Sequence, residues 1–178
     1  MNWPNTFSWC RLVGSPWLLP LAWSGQRQWL LIGFVLLGLT DWLDGFLARR
    51  WNQVTERGSK LDAVADLIFY PTAAAVLAIV FPAYLEPNRD WIVVTLLTLV
   101  VMLGVSQWRC GKIILLHTHL SRAAGVVVFL VVIASFFMDT TLAVRGVALL
   151  YTIAFIEAII IFQLRGAVSP DTRSIFSS

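Results

Sequence analysis

Six long apolar stretches recur along this 178-residue chain, and they decide the solvent in which it can fold. They cover roughly 12–26, 28–48, 61–82, 91–108, 120–138 and 144–164. A helix needs about 17–25 apolar residues to cross the hydrocarbon core of a bilayer. No alternation of apolar and polar residues with period two runs through these stretches, which disfavours a β-barrel. In lipid every backbone polar group must find its partner within the protein, so a helical bundle is the architecture left. Composition agrees, at 58% hydrophobic and 13% charged with a mean hydropathy of +0.78. The first stretch is short and broken by Pro16 and Pro20, which neighbouring helices can tolerate.

The basic residues predict an orientation. With six spans and the N-terminus inside, the cytoplasmic side receives Arg11, Arg49, Arg50, Arg57, Lys60, Arg109, Lys112, Arg122, Arg165 and Arg173. The outer side receives only Arg27, Arg89 and Arg145. Ten against three accounts for all 13 basic residues and follows the positive-inside rule. The net charge of +3 therefore reports topology and calls for no nucleic-acid partner.

The segment "MNWPNTFSWCRLV" has no basic region ahead of an apolar core, so a cleavable signal peptide is not expected. Trp3, Phe7 and Cys10, at i, i+4 and i+7, predict a short interfacial helix starting near Pro4. Trp9, Trp17, Trp23, Trp29, Trp51, Trp91 and Trp108 fall near span ends, where amphipathic rings settle. Cys10 and Cys110 lack metal-ligand spacing and read as reduced, neutral thiols. "YLEPNRD" and "FMDTTLAVRG" read as short outer loops, and 166–178 as a polar, disordered tail. The expectation is one all-α integral membrane domain over 1–178, with six transmembrane helices, a short N-terminal interfacial helix and both termini cytoplasmic.

Four aspartates stand out against this apolar background. Asp41 and Asp44, at i and i+3, share a helical face at the cytoplasmic end of the second span. Asp62 and Asp66, at i and i+4, share one at the start of the third. The loop of roughly 50–60 is short enough to make these spans antiparallel neighbours, so the four carboxylates can meet at one depth. Like charges in a poorly hydrated site need neutralising. Hard divalent cations such as Mg²⁺ do this with carboxylate oxygens and substrate phosphate. Two helices with two carboxylates each suit a two-metal site that clamps a phosphoryl group. Helix capping, or pairing with Arg49, Arg50, Arg57 and Lys60, explains any one acid but not all four together. Gly45, Ala48 and Gly58 leave room for a ligand to approach the backbone, although small residues also serve helix packing. Arg49 can offer a planar donor fork to phosphate.

Together these residues spell D-x2-D-G-x2-A-R-x8-G-x3-D-x3-D over 41–66. At average residue usage a chance match is of order 10⁻¹⁰ per starting position. The pattern resembles the signature of the CDP-alcohol phosphatidyltransferases, integral membrane enzymes of phospholipid synthesis. "PNTFSWCR", residues 4–11, is similar to the family's N-terminal P-N-x-L-T-x-x-R, with Phe7 and Ser8 as substitutes. The resemblance implies a CDP-linked lipid donor, usually CDP-diacylglycerol, attacked at phosphorus by an alcohol while CMP leaves. It implies two divalent cations, Mg²⁺ or Mn²⁺, on Asp41, Asp44, Asp62 and Asp66, with Asp66 also the general base. It places Asp44, Gly45, Ala48, Arg49 and Gly58 at the CDP site. It also implies a homodimer in the bacterial inner membrane, with the active site facing the cytoplasm.

The acceptor is less legible. "TDWLDGFLARRWNQ" resembles most the bacterial phosphatidylglycerophosphate synthases, whose acceptor is glycerol 3-phosphate. Their R-E-I-I-I-S-type stretch is absent from "LLTLVVMLGVSQWRCGKIILLHTHLSR". Arg109, Lys112, His117, His119 and Arg122 are the basic groups placed to receive an acceptor phosphate, with Arg122 the foremost. A wetted loop role is the simpler reading of the two histidines. Another acceptor (an inositol phosphate, serine or a lipid alcohol) stays open. A cation transporter is the distant alternative, since transporters hold such acids near the midplane between broken helices or repeats.

Overall fold

Proline shapes how the chain begins. The computed structural model describes residues 3–50, 56–114, 116 and 118–165, and among these every regular element is helical. Helix α1 runs Trp3–Gly14, with Pro4 in the first turn, where its missing N–H costs nothing. A 3₁₀ turn, Ser15–Trp17, contains Pro16. Helix α2, Leu18–Trp23, follows with Pro20 inside it. The expected interfacial helix and the expected first span, 12–26, are thus one bent helical path that tightens where Pro16 removes a donor.

Helices cover the other expected stretches, with shifted ends. They are α3 (Arg27–Arg50), α4 (Glu56–Val80), α6 (Arg89–Cys110), α7 (His119–Ala134) and α8 (Thr141–Arg165), with a short α5 (Pro82–Leu85) before α6. Two stretches, Pro82–Cys110 and Thr141–Arg165, are long and apolar enough to cross a membrane. The apolar parts of the others are shorter: Arg27–Thr40, Val64–Val80 and α7. The predicted tail, 166–178, lies outside the described residues.

The chain forms two compact units. The first, residues 1–82 with 135–137, packs α1 and α2 against both α3 and α4. Its buried side chains fall at helical spacing: Leu30 and Phe34 on α3, then Ala65, Phe69, Ala73, Val76 and Leu77 on α4. Small residues at such contacts let helices approach, which matters in lipid, where apolar burial alone gives little drive to association. Phe34 stacks on Phe69 with ring centroids 5.4 Å apart, tying α3 directly to α4. Helix α7 stops at Ala134, before the expected 138. The next residues turn so that Phe136 packs edge-on against Phe81 at 5.0 Å.

The second unit, 83–134 with 138–178, is built on α8, against which α6 and α7 pack. Asn88, expected in an outer loop, is fully buried. Its amide donates to the carbonyls of Tyr84 (2.8 Å) and Thr141 (2.7 Å), and its oxygen accepts from Arg145 Nε (3.1 Å). Midway along, the Thr95 and Thr152 hydroxyls meet at 2.9 Å. At the far end Gly111 takes a left-handed φ of 69°, and the chain folds back so that Ile114 N–H donates to buried Ser106 Oγ at 2.8 Å. This seats Ile114 and Leu116 against Met102, Ala158, Ile161 and Phe162. Asp139 accepts from the N–H of Thr141 at 2.8 Å, and hydrogen bonds from Thr141 hold its carboxyl below the usual range. The tryptophans at positions 9, 17, 23, 29, 91 and 108 are all exposed, as interfacial rings should be.

Candidate active site

The Phe34–Phe69 stack serves as a ruler for the motif. Asp41 lies seven residues beyond Phe34 on α3, and Asp62 seven before Phe69 on α4. At the α-helical rise each is about 10 Å from the stack along its helix. Residues 51–55, between α3 and α4, are outside the described set. Measured along their own helices, Asp41 and Asp62 are thus equally far from the stack, with Asp66 nearer to it and Asp44 further from it. The side chains of Asp41, Asp44, Gly45, Ala48, Arg49 and Asp62 lie outside the described residues. Gly58 is half-buried in the first turn of α4, so this helix begins earlier than the expected 61 and Asp62 sits inside it.

Asp66 is described in full, and it does not stand alone. Its Oδ1 lies 3.2 Å from Nη2 of Arg11, whose side chain is 0% exposed, while the Asp66 side chain is 28% exposed. Oδ1 itself is inaccessible to solvent. By sequence Arg11 is a topology charge and a motif residue with no assigned site role. In the fold it lies on a buried polar stripe of Ser8 and Arg11 on α1, continued by Ser15 at the start of the 3₁₀ turn, at i, i+3 and i+7. Its one sequence signal is its place as the terminal Arg of "PNTFSWCR". Phe7, half-buried, and Cys10, exposed, lie off this buried stripe.

The donor set fits hard divalent cations. Carboxylate oxygens are the ligands Mg²⁺ and Mn²⁺ take, and the signature supplies four carboxylates on α3 and α4. Among the described residues no three histidine, cysteine or acidic side chains cluster, but three of the four aspartates fall outside that set.

The acceptor candidates lie in the second unit. Arg109 Nη2 donates to the carbonyl of Gln163 at 2.6 Å, near the end of α8, and its guanidinium lies 5.8 Å from the Trp108 ring. A cation there suits a helix C-terminus. Lys112 is exposed in the turn after α6. Thr118 caps α7, its Oγ1 accepting from Ser121 N–H at 3.2 Å, which puts Arg122 in the first turn with an exposed side chain. His119 opens α7, exposed beside an apolar groove, while His117 lies outside the described residues.

Comparison with known proteins bears on this site. The sequence model of the family described as CDP-alcohol phosphatidyltransferase matches residues 1–164. A relative in Salmonella choleraesuis, named CDP-diacylglycerol–glycerol-3-phosphate 3-phosphatidyltransferase, is 40% identical over 81 residues, 43% of this chain and 43% of its own. A relative of the same name in Escherichia coli K12 is 46% identical over 59 residues, 33% of this chain and 31% of its own. A cardiolipin synthase (CMP-forming) of Streptomyces coelicolor is 36% identical over 112 residues, 57% of this chain and 50% of its own. The matches thus span half or less of these relatives' own lengths. No solved structure matches the chain.

Proposed function

Since the chain belongs to the CDP-alcohol phosphatidyltransferase family, we propose that it transfers a phosphatidyl group from CDP-diacylglycerol to an alcohol, releasing CMP. The acceptor we assign is glycerol 3-phosphate, on the printed names of the relatives in Salmonella and Escherichia coli. The observation that carries this reading is the eight-position aspartate signature placed on α3 and α4, two helices that touch through Phe34 and Phe69.

In this reading Asp41, Asp44, Asp62 and Asp66 hold two divalent cations, Mg²⁺ or Mn²⁺. When bound, such cations neutralise the diphosphate and stabilise charge on the departing CMP oxygen. Asp44, Gly45, Ala48, Arg49 and Gly58 line the CDP site. Asp66 takes the proton from the acceptor hydroxyl. The hydroxyl oxygen then forms its bond to the phosphorus that carries the lipid, the bond from that phosphorus to the CMP oxygen breaks, and CMP leaves with the electron pair. Arg122, with Arg109 and Lys112 as lesser candidates, receives the acceptor phosphate. The remaining carboxylates stay ionised as ligands.

The setting that goes with this chemistry is one membrane domain of six spans in a bacterial inner membrane. Both termini and the active site face the cytoplasm, and the working form is a homodimer. At that boundary a water-soluble acceptor meets a donor whose acyl chains remain in lipid. The cardiolipin synthase among the relatives, together with the missing R-E-I-I-I-S-type stretch, favours a lipid alcohol as the second reading of the acceptor.

The test is an acceptor screen with purified protein, CDP-diacylglycerol and Mg²⁺ or Mn²⁺, following CMP release. Release that depends on glycerol 3-phosphate supports the first reading, and release that depends on a lipid alcohol the second. No release with any alcohol would overturn both.

A further inference from the structure

We propose that Arg11 positions Asp66 for the transfer, so that the N-terminal helix α1 is a working part of the catalytic centre. This rests on the reading of Asp66 as metal ligand and base.

Long basic side chains near a membrane surface usually bury their stems and keep the charged head in water. Arg11 does the opposite and is 0% exposed. A guanidinium withdrawn so far is costly unless a carboxylate meets it. Among the described residues Asp66 does so, through Oδ1 at 3.2 Å. That oxygen is sealed from solvent, although the Asp66 side chain keeps 28% of its exposure. One carboxylate oxygen is therefore held against α1, while the side chain as a whole stays partly open to its surroundings. A carboxylate fixed in this way does not have to be oriented again at each turnover, which is the benefit of preorganised geometry.

The placement of Arg11 is itself well supported. Helix α1 packs on both α3 and α4, the two helices that carry the motif. Three residues beyond Arg11, α1 comes close to α3 at Gly14, where a Cβ would fall 2.8 Å from Leu37 Cδ2. Ser15 Oγ donates to the carbonyl of Arg11. A planar fork oriented by a packed helix sets direction as well as charge, which a lysine ammonium cannot reproduce.

Arg11→Lys is the discriminating variant, since it keeps the charge and removes the fork. Residues that orient metal-binding side chains typically cost 10–100-fold in metal affinity or activity when changed. Arg11→Lys should accordingly lower kcat about 10–100-fold with the CDP-diacylglycerol KM little changed, and weaken Mn²⁺ binding, read by electron paramagnetic resonance, in the same direction. Arg11→Gln, which keeps a polar planar group but removes the charge, should lower kcat at least as far. It gives a second test should the lysine variant fail to fold. Wild-type kcat and Mn²⁺ affinity in folded Arg11→Lys or Arg11→Gln would overturn the proposal and leave the pair a structural one. If wild type binds Mn²⁺, the lysine variant binds it more weakly, and neither releases CMP, the positioning of Asp66 stands. The phosphatidyltransferase reading would then be what has failed.

Discussion

Replacing Asp66 by asparagine and by alanine should separate its two roles, because the structure gives different costs for each. Arg11 is fully buried and faces Asp66 Oδ1 at 3.2 Å, while Asp66 keeps 28% of its exposure. Removing one partner of a fully buried ion pair costs about 3–5 kcal/mol. Partial access of water to Asp66 reduces this to about 2–3 kcal/mol for Asp66→Ala. Asp66→Asn keeps a carbonyl dipole beside Arg11 but not the charge, so a smaller loss of roughly 1–2 kcal/mol is expected. For a chain of this size each kcal/mol moves Tm by about 2–4 °C. Thermal unfolding in detergent, with chelator present, should therefore place alanine below asparagine and asparagine below wild type. Turnover should not be graded. With Asp66 as the proposed base, both variants should lose about 10²–10⁴-fold in CMP release. Near-normal turnover in Asp66→Asn would refute the base assignment. A Tm for Asp66→Ala at or above that of Asp66→Asn would refute the buried pair.

Three further outcomes follow from other parts of the fold. Glu157 of α8 has a buried Oε2 without a hydrogen-bond partner among the described residues, and such a group costs about 1–3 kcal/mol. Glu157→Leu should thus raise Tm by a few degrees in the same unfolding assay, and a fall would place Glu157 in a polar network. With Cys10 and Cys110 replaced by alanine, a cysteine at exposed Arg89 should react with an impermeant thiol reagent only from outside, and one at Asn52 only from the cytoplasm. Labelling of both from one side would mean a different number of crossings. Arg122→Ala should raise the glycerol 3-phosphate KM by roughly 10–150-fold, the loss of a charge-assisted contact, with the donor KM unchanged. No change in either would return Arg122 to a topology role.

The parts of the fold that were legible in sequence are those where periodicity and chemistry agree. Asp41, Asp44, Asp62 and Asp66 announce two helices because their spacing is helical and their surroundings are apolar. At the start of the chain the apolar stripe of Phe7 and Cys10 was legible, but the stripe that packs inward was not, because it is polar: Ser8 and Arg11, continued by Ser15 in the 3₁₀ turn. Arg11 was invisible as a site residue because its partner is an aspartate on α4, reached only once α1 folds onto that helix. Asn88 was misread for the same reason. Its bonds to Thr141 and Arg145 join residues more than fifty positions apart, and its neighbours in sequence form an ordinary turn. Helix α7 ended early because Phe136 found Phe81, another contact without a local signal.

The central claim, a phosphatidyl transfer that depends on divalent cations held by the four aspartates, is tested most directly by CMP release from CDP-diacylglycerol as a function of Mg²⁺ or Mn²⁺. Purified protein with glycerol 3-phosphate should turn over with the cation present, stop in excess chelator and recover when the cation is returned. Undiminished release of CMP in excess chelator would contradict it.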